Sequence, residues 1–406
     1  MGAGFLESSK LWQCAVIDPT VDKNRVGGVE ANEKHAALVS HAGIIMSAAA
    51  PVKESRIVRV GIVGCGHVSL KHIDALRKIR SVEIVGTCDR DAARGREAAQ
   101  RAGTERVYSD LDRMLHDAAP DVVHVVTPPR SHRDLSIRAM NAGCHVLVEK
   151  PMAVDAREAD EMIAAARAGA VELSVCHNFL FERSMLRARR LVSEGAVGKI
   201  VSIDAFWRIK RGGPDDRYAA GGWIHELPGG VFHEVAPHPL YLVSELLEEP
   251  RIASALVKSV GPPDEAPTEL RVQLEGKSAL GSVAVSVRSE PHQAFVDIRG
   301  TRSTLRVDLA SHVVIRVRGK GSGRMAKFLT NFDQSGQLLV ETVANAARVA
   351  AGRMTFGHEN LIRRFYENLE RGDEPPVTAE QGRAIVALLD EIRPALDGAN
   401  AGADPS

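Results

Sequence analysis

The sequence lacks the features that point to a nucleic-acid or membrane partner. Among 406 residues, 52 basic side chains balance 52 acidic ones, so neither sign of charge is in excess. A strongly basic balance would have favoured nucleic acid or an anionic membrane surface. No uninterrupted apolar run is long enough to cross a bilayer. We therefore expect a small-molecule ligand and neither of those partners.

Cysteine is also scarce. The chain has five, with no Cys-x-x-Cys spacing, and four of them lie in or beside apparent strands. This usage predicts reduced, mostly buried thiols in the cytoplasm, and it argues against a disulfide framework or a zinc site. We predict no metal. The positions are Cys14, Cys65, Cys88, Cys144 and Cys176.

The two ends of the chain show no core-forming pattern. Residues 1–55 carry scattered charges without a sustained period, and they lack the basic start and apolar core of a signal peptide. We predict a flexible extension there and a flexible tail over 397–406. The length between them predicts two domains, which we place at 56–178 and 179–396.

A glycine pair is the most informative motif. An apolar strand over 57–63 runs into Gly64 and Gly66, and a helical pattern follows. Ser69 stands where a third glycine is usual. In this context the first glycine allows the tight turn, the second lets phosphate approach the backbone, and the helix N-terminus attracts the charge. The candidate pyrophosphate contacts are Gly64, Cys65, Gly66, His67 and Val68.

An acidic residue follows the next apolar run. Asp89 closes a predicted strand over 82–88, where a carboxylate can accept both ribose hydroxyls of the adenosine. It would also repel a 2′-phosphate, so we expect NAD, with NADP as the alternative. Arg90 keeps that alternative open, because a guanidinium can hold a 2′-phosphate. Asp89 could instead cap a helix that starts near Ala92.

Strands and helices alternate up to about residue 150, which predicts a parallel, doubly wound α/β sheet. Further predicted strands lie at 106–108, 121–126 and 145–148. Polar residues and a proline follow the last two strands, where ligands of such sheets bind. These residues are predicted to contact the cofactor. The alternatives are a plain strand-ending turn at Thr127–Pro129 and a solvated ion pair between Glu149 and Lys150. These residues are Thr127, Pro128, His132, Glu149 and Lys150.

After about residue 200 the apolar period changes to two. Alternating segments predict a second, mostly antiparallel sheet, with strands at 199–207, 252–260, 270–274, 283–287, 296–298 and 313–317. Helices are predicted at 337–351, 359–369 and 379–392. We expect one apolar face of this sheet to be uncovered and to pair with another subunit, which gives a homodimer or homotetramer.

These motifs, taken in order, resemble those of the Gfo/Idh/MocA oxidoreductases, the glucose–fructose oxidoreductase and inositol dehydrogenase group. The resemblance covers roughly 57–395. Its matching elements are the Val-Gly-Cys-Gly turn at 63–66, His72, Asp89, Thr127-Pro128 with His132, Glu149-Lys150-Pro151, the stretch from Gly229 to His238, and the segments 365–367 and 375–382.

The resemblance implies an N-terminal Rossmann domain and a C-terminal α+β domain with a large open-faced sheet. It implies NAD(P)-linked hydride transfer on a sugar, nucleotide sugar or cyclitol. Lys150 matches a lysine beside the nicotinamide, and His238 matches the histidine that ends the glycine-rich pattern. Glu234 stands where the family usually has aspartate, and His233 adds a second imidazole.

Chemistry supports these catalytic candidates. Oxidation of an alcohol releases a proton that histidine can accept, and an ammonium can stabilise the developing alkoxide. A carboxylate four residues before a helical His238 could orient the imidazole or bind a substrate hydroxyl. Two other functions stay open: glycoside cleavage with a retained NAD, and non-catalytic dinucleotide binding. The candidate substrate residues are Arg217, Tyr218, Trp223 and His233.

Overall fold

The structure is a computed structural model that describes residues 56–209, 222–260, 267–319, 321 and 323–401. The predicted extension over 1–55 and the candidates Arg217 and Tyr218 lie outside the described residues. Contacts within the chain group 55–406 into one compact unit, so the domain boundary at 178/179 stays a prediction. None of the described helices has the length and apolarity that a bilayer crossing requires.

Six parallel strands form the first sheet, which confirms the doubly wound prediction. Their order, β3-β2-β1-β4-β5-β6, reverses direction at β1, and the carboxyl ends of β1 and β4 meet there. The strands are nearly all apolar and buried, as expected for a sheet covered by helices on both faces. They are β1 Val58–Val63, β2 Val82–Cys88, β3 Val107–Tyr108, β4 Val122–Val125, β5 His145–Val148 and β6 Leu173–Val175.

Helices alternate with these strands. Aspartates cap three of them: Asp91, Asp110 and Asp155 accept backbone N–H groups in the first turns of α2, α3 and α5. The alternative in which Asp89 caps the second helix is therefore wrong, because Asp91 does so. The helices are α1 His67–Leu76, α2 Ala92–Ala102, α3 Leu111–Ala118, α4 His132–Asn141, α5 Ala156–Gly169 and α6 Arg183–Ser193.

The second sheet has seven strands in the order β13-β12-β11-β7-β10-β9-β8. Only the β7–β10 pair is parallel among them, so the mostly antiparallel prediction is confirmed. The period-two analysis missed β12, a five-residue strand with only two buried apolar side chains. The strands are β7 Ile200–Arg208, β8 Arg251–Lys258, β9 Glu269–Glu275, β10 Leu280–Ser286, β11 Gln293–Gly300, β12 Thr304–Asp308 and β13 Val313–Val317.

The two faces of this sheet differ in chemistry. One face is apolar and buried, with Ile203, Val283 and Val296 in the core. The opposite face is mostly polar: Asp204 accepts a hydrogen bond from Ser282 and pairs with Arg299. The prediction of an uncovered apolar sheet face is therefore wrong for the described strands. Strict alternation did indicate one buried face, but it says little about the composition of the other.

Five helices complete the described chain. The helix predicted to start at 337 begins at Arg324, and the last helix runs past 392 to Ala401, so residues 397–401 are helical. Its apolar stripe continues through Ile392 to Leu396, which packs against Gly229, and this packing carries the helix past Pro394. These helices are α7 Val231–Val235, α8 Pro237–Ser244, α9 Arg324–Ala350, α10 Gly357–Arg371 and α11 Ala379–Ala401.

Candidate active site

The glycine turn lies at the carboxyl end of β1. Gly64 has φ 89°, and a Cβ there would lie 2.7 Å from the Val126 carbonyl, so both conformation and space demand glycine. A Cβ on Gly66 would meet nothing within 4 Å, which leaves open space before α1. No side chain caps α1 at Gly66, so its first N–H groups are available to an anion. Ser69 is buried, and its hydroxyl donates to Gly66 O at 2.6 Å.

Asp89 connects this turn to the start of α2. Its Oδ2 accepts the Cys65 N–H at 2.6 Å, and its Oδ1 accepts the Asp91 N–H at 2.8 Å. The carboxylate is thus fixed beside the pyrophosphate cradle, and each oxygen keeps a lone pair for a ribose hydroxyl. Arg90, next to it, is exposed.

The loop after β4 is fastened to the loop after β5 by a histidine. His132 is fully buried, with Nε2 2.7 Å from Thr127 O and Nδ1 2.9 Å from Pro151 O. Burial lowers the pKa of His132 despite these two contacts, so the neutral ring donates to one carbonyl at a time. This geometry makes His132 a link between loops rather than a direct cofactor contact. Thr127 and Pro128 remain at the edge of the cleft, half-buried and exposed.

Lys150 forms an ion pair with Glu234 across the cleft. Its Nζ lies 2.5 Å from Glu234 Oε1 and donates to the Glu234 backbone oxygen at 3.0 Å. Both side chains are largely buried, at 7% and 12% exposure. The alternative of a solvated Glu149–Lys150 pair is therefore wrong. Glu234 holds the ammonium in place, and one N–H of Lys150 is left for a substrate oxygen.

His238 lies one helical turn beyond Glu234, at the start of α8. Its ring stacks on Trp207 at 5.3 Å between centroids and meets the edge of Phe179 at 4.9 Å. Its Nδ1 lies 3.0 Å from the Tyr241 hydroxyl. That hydroxyl also accepts the Phe179 N–H at 3.1 Å. The imidazole is thus held by Trp207 on one face, by Phe179 beside this stacked pair, and by Tyr241 at one nitrogen.

His233, the second histidine of this region, is buried away from solvent. Its side chain is 2% exposed, and its Nε2 has no hydrogen-bond partner among the described residues. Burial, together with the nearby positive charges of Arg393 and Lys150, lowers the pKa of His233 to about 4. It therefore stays neutral near pH 7. The other described substrate candidate, Trp223, is 41% exposed.

Glu149 points away from Lys150 into a buried hydrogen-bond network. Its Oε1 lies 2.9 Å from His72 Nε2 and 3.7 Å from His358 Nε2. Burial alone would raise the pKa of Glu149, but the two histidines outweigh burial and hold it well below its usual range. His72 Nδ1 meets His124 Nδ1 at 2.9 Å, and His124 Nε2 meets the Tyr366 hydroxyl at 2.8 Å.

One arrangement of protons satisfies this chain of contacts. Tyr366 donates to His124, His124 donates to His72, and His72 donates to the ionised Glu149. Ligand atoms of His72, Glu149, Cys176 and His358 also lie within 4.8 Å of one another, as in a metal site. Burial raises the pKa of Cys176 well above its usual range, which keeps it a thiol. We assign these four residues to the network.

Sequence reasoning missed two groups of residues here. Tyr241, three positions after His238, was within reach of a helical-spacing argument, because residues three apart share a helix face. His124 and His358 carried no local signal, and Tyr366 lies in the matched segment 365–367 but was given no role there. Their contacts join residues more than 200 positions apart, as in the His124–Tyr366 pair between β4 and α10.

Comparison with known proteins identifies the family. Residues 58–177 match the oxidoreductase family with an NAD-binding Rossmann fold, and residues 185–306 match the GFO/IDH/MocA C-terminal domain. The chain belongs to the Gfo/Idh/MocA family. The glycine turn, Asp89 and the Glu149–Lys150 strand end all lie in the first matched region, and Glu234 and His238 lie in the second.

Curated relatives within this family are dehydrogenases and reductases. The chain is 29% identical to D-apiose dehydrogenase of Paraburkholderia graminis over 61% of its own length and 66% of that protein. It is 22% identical to myo-inositol 2-dehydrogenase of Thermotoga maritima over 82% of its own length and 94% of that protein. The chain thus spans just under two thirds of the first relative and nearly all of the second.

Solved structures share the fold. The WlbA dehydrogenase of Bordetella pertussis, crystallised with NADH and UDP-GlcNAcA, superposes with a TM-score of 0.69 at 23% identity. The match covers 84% of this chain and 96% of that one. An oxidoreductase of Agrobacterium radiobacter, crystallised with NAD+, L-tartaric acid and magnesium, gives 0.69 at 18% identity over 84% and 96%.

Proposed function

We propose that this protein transfers a hydride between NAD and a secondary alcohol or ketone of a sugar, nucleotide sugar or cyclitol. The observation that carries the proposal is the buried Lys150–Glu234 pair, with His238 one helical turn beyond it. Relatives named for D-apiose and myo-inositol support a polyhydroxylated substrate.

The residues at the end of β1 fit a dinucleotide. The space above Gly66 and the uncapped first turn of α1 suit the pyrophosphate, and the fixed Asp89 carboxylate suits the adenosine ribose. A nicotinamide bound beyond these strand ends supplies the hydride acceptor or donor. We propose NAD rather than NADP. The fixed Asp89 carboxylate would repel a 2′-phosphate more strongly than the exposed Arg90 side chain could attract it.

In the proposed chemistry, Lys150 and His238 handle the proton. The Lys150 ammonium, held by Glu234, donates a hydrogen bond to the reacting oxygen and stabilises negative charge on it. The imidazole of His238 accepts the hydroxyl proton during oxidation and returns it during reduction. Trp207 and Phe179 contact the ring, and Tyr241 contacts Nδ1, so the orientation of the imidazole is fixed for proton transfer.

A substrate screen tests the proposal. Sugars, nucleotide sugars and cyclitols are each incubated with the full chain and NAD, while the absorbance of reduced nicotinamide is followed. Keto derivatives are tested with NADH. We expect turnover with at least one compound by the wild type and its loss in Lys150→Met. Cleavage of a glycoside without accumulation of NADH would support the retained-cofactor alternative. No turnover with either class, while NAD binds, would contradict hydride transfer.

We also propose a cytoplasmic homodimer or homotetramer. The four described cysteines are free and buried, which suits a reducing compartment. Support for self-association comes from α9, whose large apolar side chains are exposed at helical spacing: Phe328 58%, Phe332 75%, Leu339 66% and Val343 60%. Analytical ultracentrifugation at micromolar concentration would contradict the assembly if it gave a monomer.

A further inference from the structure

A cavity lined by arginines lies between α6, the turn after β12 and α9. Its volume is about 540 Å³, within the range of small-molecule sites. Four arginines line it with a single glutamate, Glu341. None of the residues assigned to hydride transfer borders it. The arginines are Arg183, Arg187, Arg190 and Arg348.

Positive charge is in excess around this cavity. Arg183, Arg187 and Arg190 fall at helical spacing on one face of α6, where like charges destabilise a helix. Arg187 pairs with Glu341, and Arg190 lies 3.6 Å from Glu194 at the exposed surface. Arg348 donates to the neutral Asn345 side chain at 2.7 Å.

Arg183 itself has no hydrogen-bond or ion-pair partner among the described residues. One carboxylate therefore faces more guanidinium groups than it can neutralise. A second anion would offset the repulsion between the arginines, and guanidinium groups bind phosphate oxygens through paired hydrogen bonds.

A buried hydroxyl gives a second, independent indication of a ligand. Ser184 is 2% exposed and borders the cavity, and its Oγ has no hydrogen-bond partner among the described residues. An unsatisfied buried hydroxyl costs free energy unless something fills the role of a partner. Ser184 also lies in the first turn of α6, which receives no side-chain cap from Glu182. Helix N-termini with this arrangement favour anions.

The surrounding framework holds the cavity in shape. Asn345 is the buried residue of α9, and its amide donates to the backbone oxygens of Ser311 and His312 at 3.1 Å each. His312 adopts φ 56°, an uncommon conformation for a residue with a side chain. Behind it, Glu182 accepts the Gly357 N–H at 2.8 Å and lies 3.3 Å from His312 Nδ1.

We propose that this cavity binds a small molecule through a phosphate group. Arg183 and the Ser184 hydroxyl contact the phosphate oxygens, while Arg187 and Arg348 supply positive charge around them. Phosphate is favoured over a single carboxylate because it carries up to two negative charges and more acceptor oxygens, which match several guanidinium groups at once. The site does not depend on the hydride-transfer proposal, since it shares no residue with it.

Calorimetric titration of the full chain with inorganic pyrophosphate and phosphate tests the site. NAD is kept saturating, so that the cradle at Gly66 does not compete for the probe, and ionic strength is kept constant. Citrate serves as the carboxylate comparison. The variants are Arg183→Gln and Ser184→Ala. The matched control is Arg80→Gln, an exposed arginine between α1 and β2 without a partner among the described residues.

We expect saturable binding of one pyrophosphate per chain. Arg183→Gln should weaken it about tenfold or more, as expected for a lost charge-assisted hydrogen bond. Arg80→Gln should bind as the wild type does. Ser184→Ala should bind several-fold more weakly, yet without phosphate its melting temperature should equal or exceed that of the wild type, because an unsatisfied hydroxyl is removed.

Three results would overturn the proposal. They are no saturable binding of pyrophosphate or phosphate by the wild type, equal binding by Arg183→Gln and Arg80→Gln, and tighter binding of citrate than of pyrophosphate. Loss of the site would leave hydride transfer by Lys150 and His238 untouched, so the two proposals fail separately.

Discussion

Glu149 and Lys150 are consecutive residues at the end of β5, yet their side chains enter two different environments. Glu149 joins the histidine network, which consists of His72, His124, Glu149, Cys176, His358 and Tyr366. Lys150 joins the cleft cluster, which consists of Lys150, Glu234, His238 and Tyr241. Successive side chains in extended backbone point to opposite sides, so the Glu149 carboxylate enters the protein interior and the Lys150 ammonium enters the proposed active site.

The difference lies in whether hydrogen-bonding capacity is left over. In the histidine network the hydrogen bonds run without a break from Tyr366 to Glu149, and burial lowers the pKa of His124 and of His358, so both rings stay neutral. In the cleft cluster, Lys150 retains one N–H beyond its two bonds to Glu234. A closed network stabilises the fold, whereas an open one can act on a substrate.

The largest effect should come from the cleft cluster. Lys150→Met and His238→Ala should each lower turnover by about 100- to 10,000-fold, the usual range for a positioned acid or base. NAD affinity should change little, because the pyrophosphate and ribose contacts lie at Gly66 and Asp89. Steady-state rates with fluorescence titration of NAD separate the two effects. If His233→Ala lost activity and His238→Ala kept it, the assignment of proton transfer to His238 would be wrong.

Substitution in the histidine network should act on stability. Glu149→Gln weakens the hydrogen bond from His72, and a hydrogen bond to a charged group typically contributes about 1.5–3 kcal/mol. Urea unfolding followed by circular dichroism measures this loss. Glu341→Gln, at a partly exposed ion pair, is the matched control and should cost about 1 kcal/mol or less. Equal losses in the two variants would show that the network contributes no special stability.

The pH dependence of stability sharpens the same contrast. Burial lowers the pKa of His233 to about 4 and of His177 to about 3, while an unfolded histidine titrates near ~6.5. The folded protein thus binds fewer protons, so this stability is present above about pH 6.5 and is lost as the pH falls toward 4 and then 3.

For His233 the loss of unfolding free energy approaches ~3 kcal/mol, because its pKa is about 4 in the folded protein and about 6.5 in the unfolded chain. Unfolding free energies of the wild type and His233→Asn between pH 7 and pH 4.5 check this. The variant should show a shallower decline, and parallel curves would refute the assignment.

The smallest effect should come from Tyr241. Its hydroxyl contacts His238 Nδ1 and thereby influences which ring nitrogen carries the proton. Tyr241→Phe should lower turnover about three- to tenfold, as expected for one neutral hydrogen bond of about 1 kcal/mol. It should also shift the pH profile of turnover, and the melting temperature should fall because the Phe179 N–H loses its acceptor. An unchanged profile with a lower melting temperature would make Tyr241 a packing residue only.

The sequence was informative where chemistry recurs at fixed spacing. The glycine turn, Asp89, the Glu149–Lys150 strand end and the positions of Glu234 and His238 could all be placed on their elements in advance. The pairing of Lys150 with Glu234 could not, because it joins residues 84 positions apart. The histidine network was hidden for the same reason, since single polar residues on buried strands and helices have no pattern of their own.

Two further predictions from the sequence, the cap of α2 and the start of α9, depended on choices that the local sequence could not decide. Asp89 and Asp91 were both suitable helix caps, and the tight contact of Asp89 with the Cys65 N–H decides between them. The early start of α9 was obscured because its large apolar residues face outward, as Phe332 does at 75% exposure. Such a helix gives a periodic pattern without marking which side is buried.

The rate of hydride transfer in Lys150→Met, measured with NAD bound to the same occupancy as in the wild type, tests the division between the two environments most directly. Single-turnover formation of NADH from a substrate found in the screen provides that rate. We predict a loss of at least about 100-fold in the folded variant, together with a lower melting temperature, because Glu234 loses its buried partner. A rate equal to that of the wild type, at equal NAD occupancy, would contradict the assignment of Lys150 to the chemistry and of the cleft cluster to the active site.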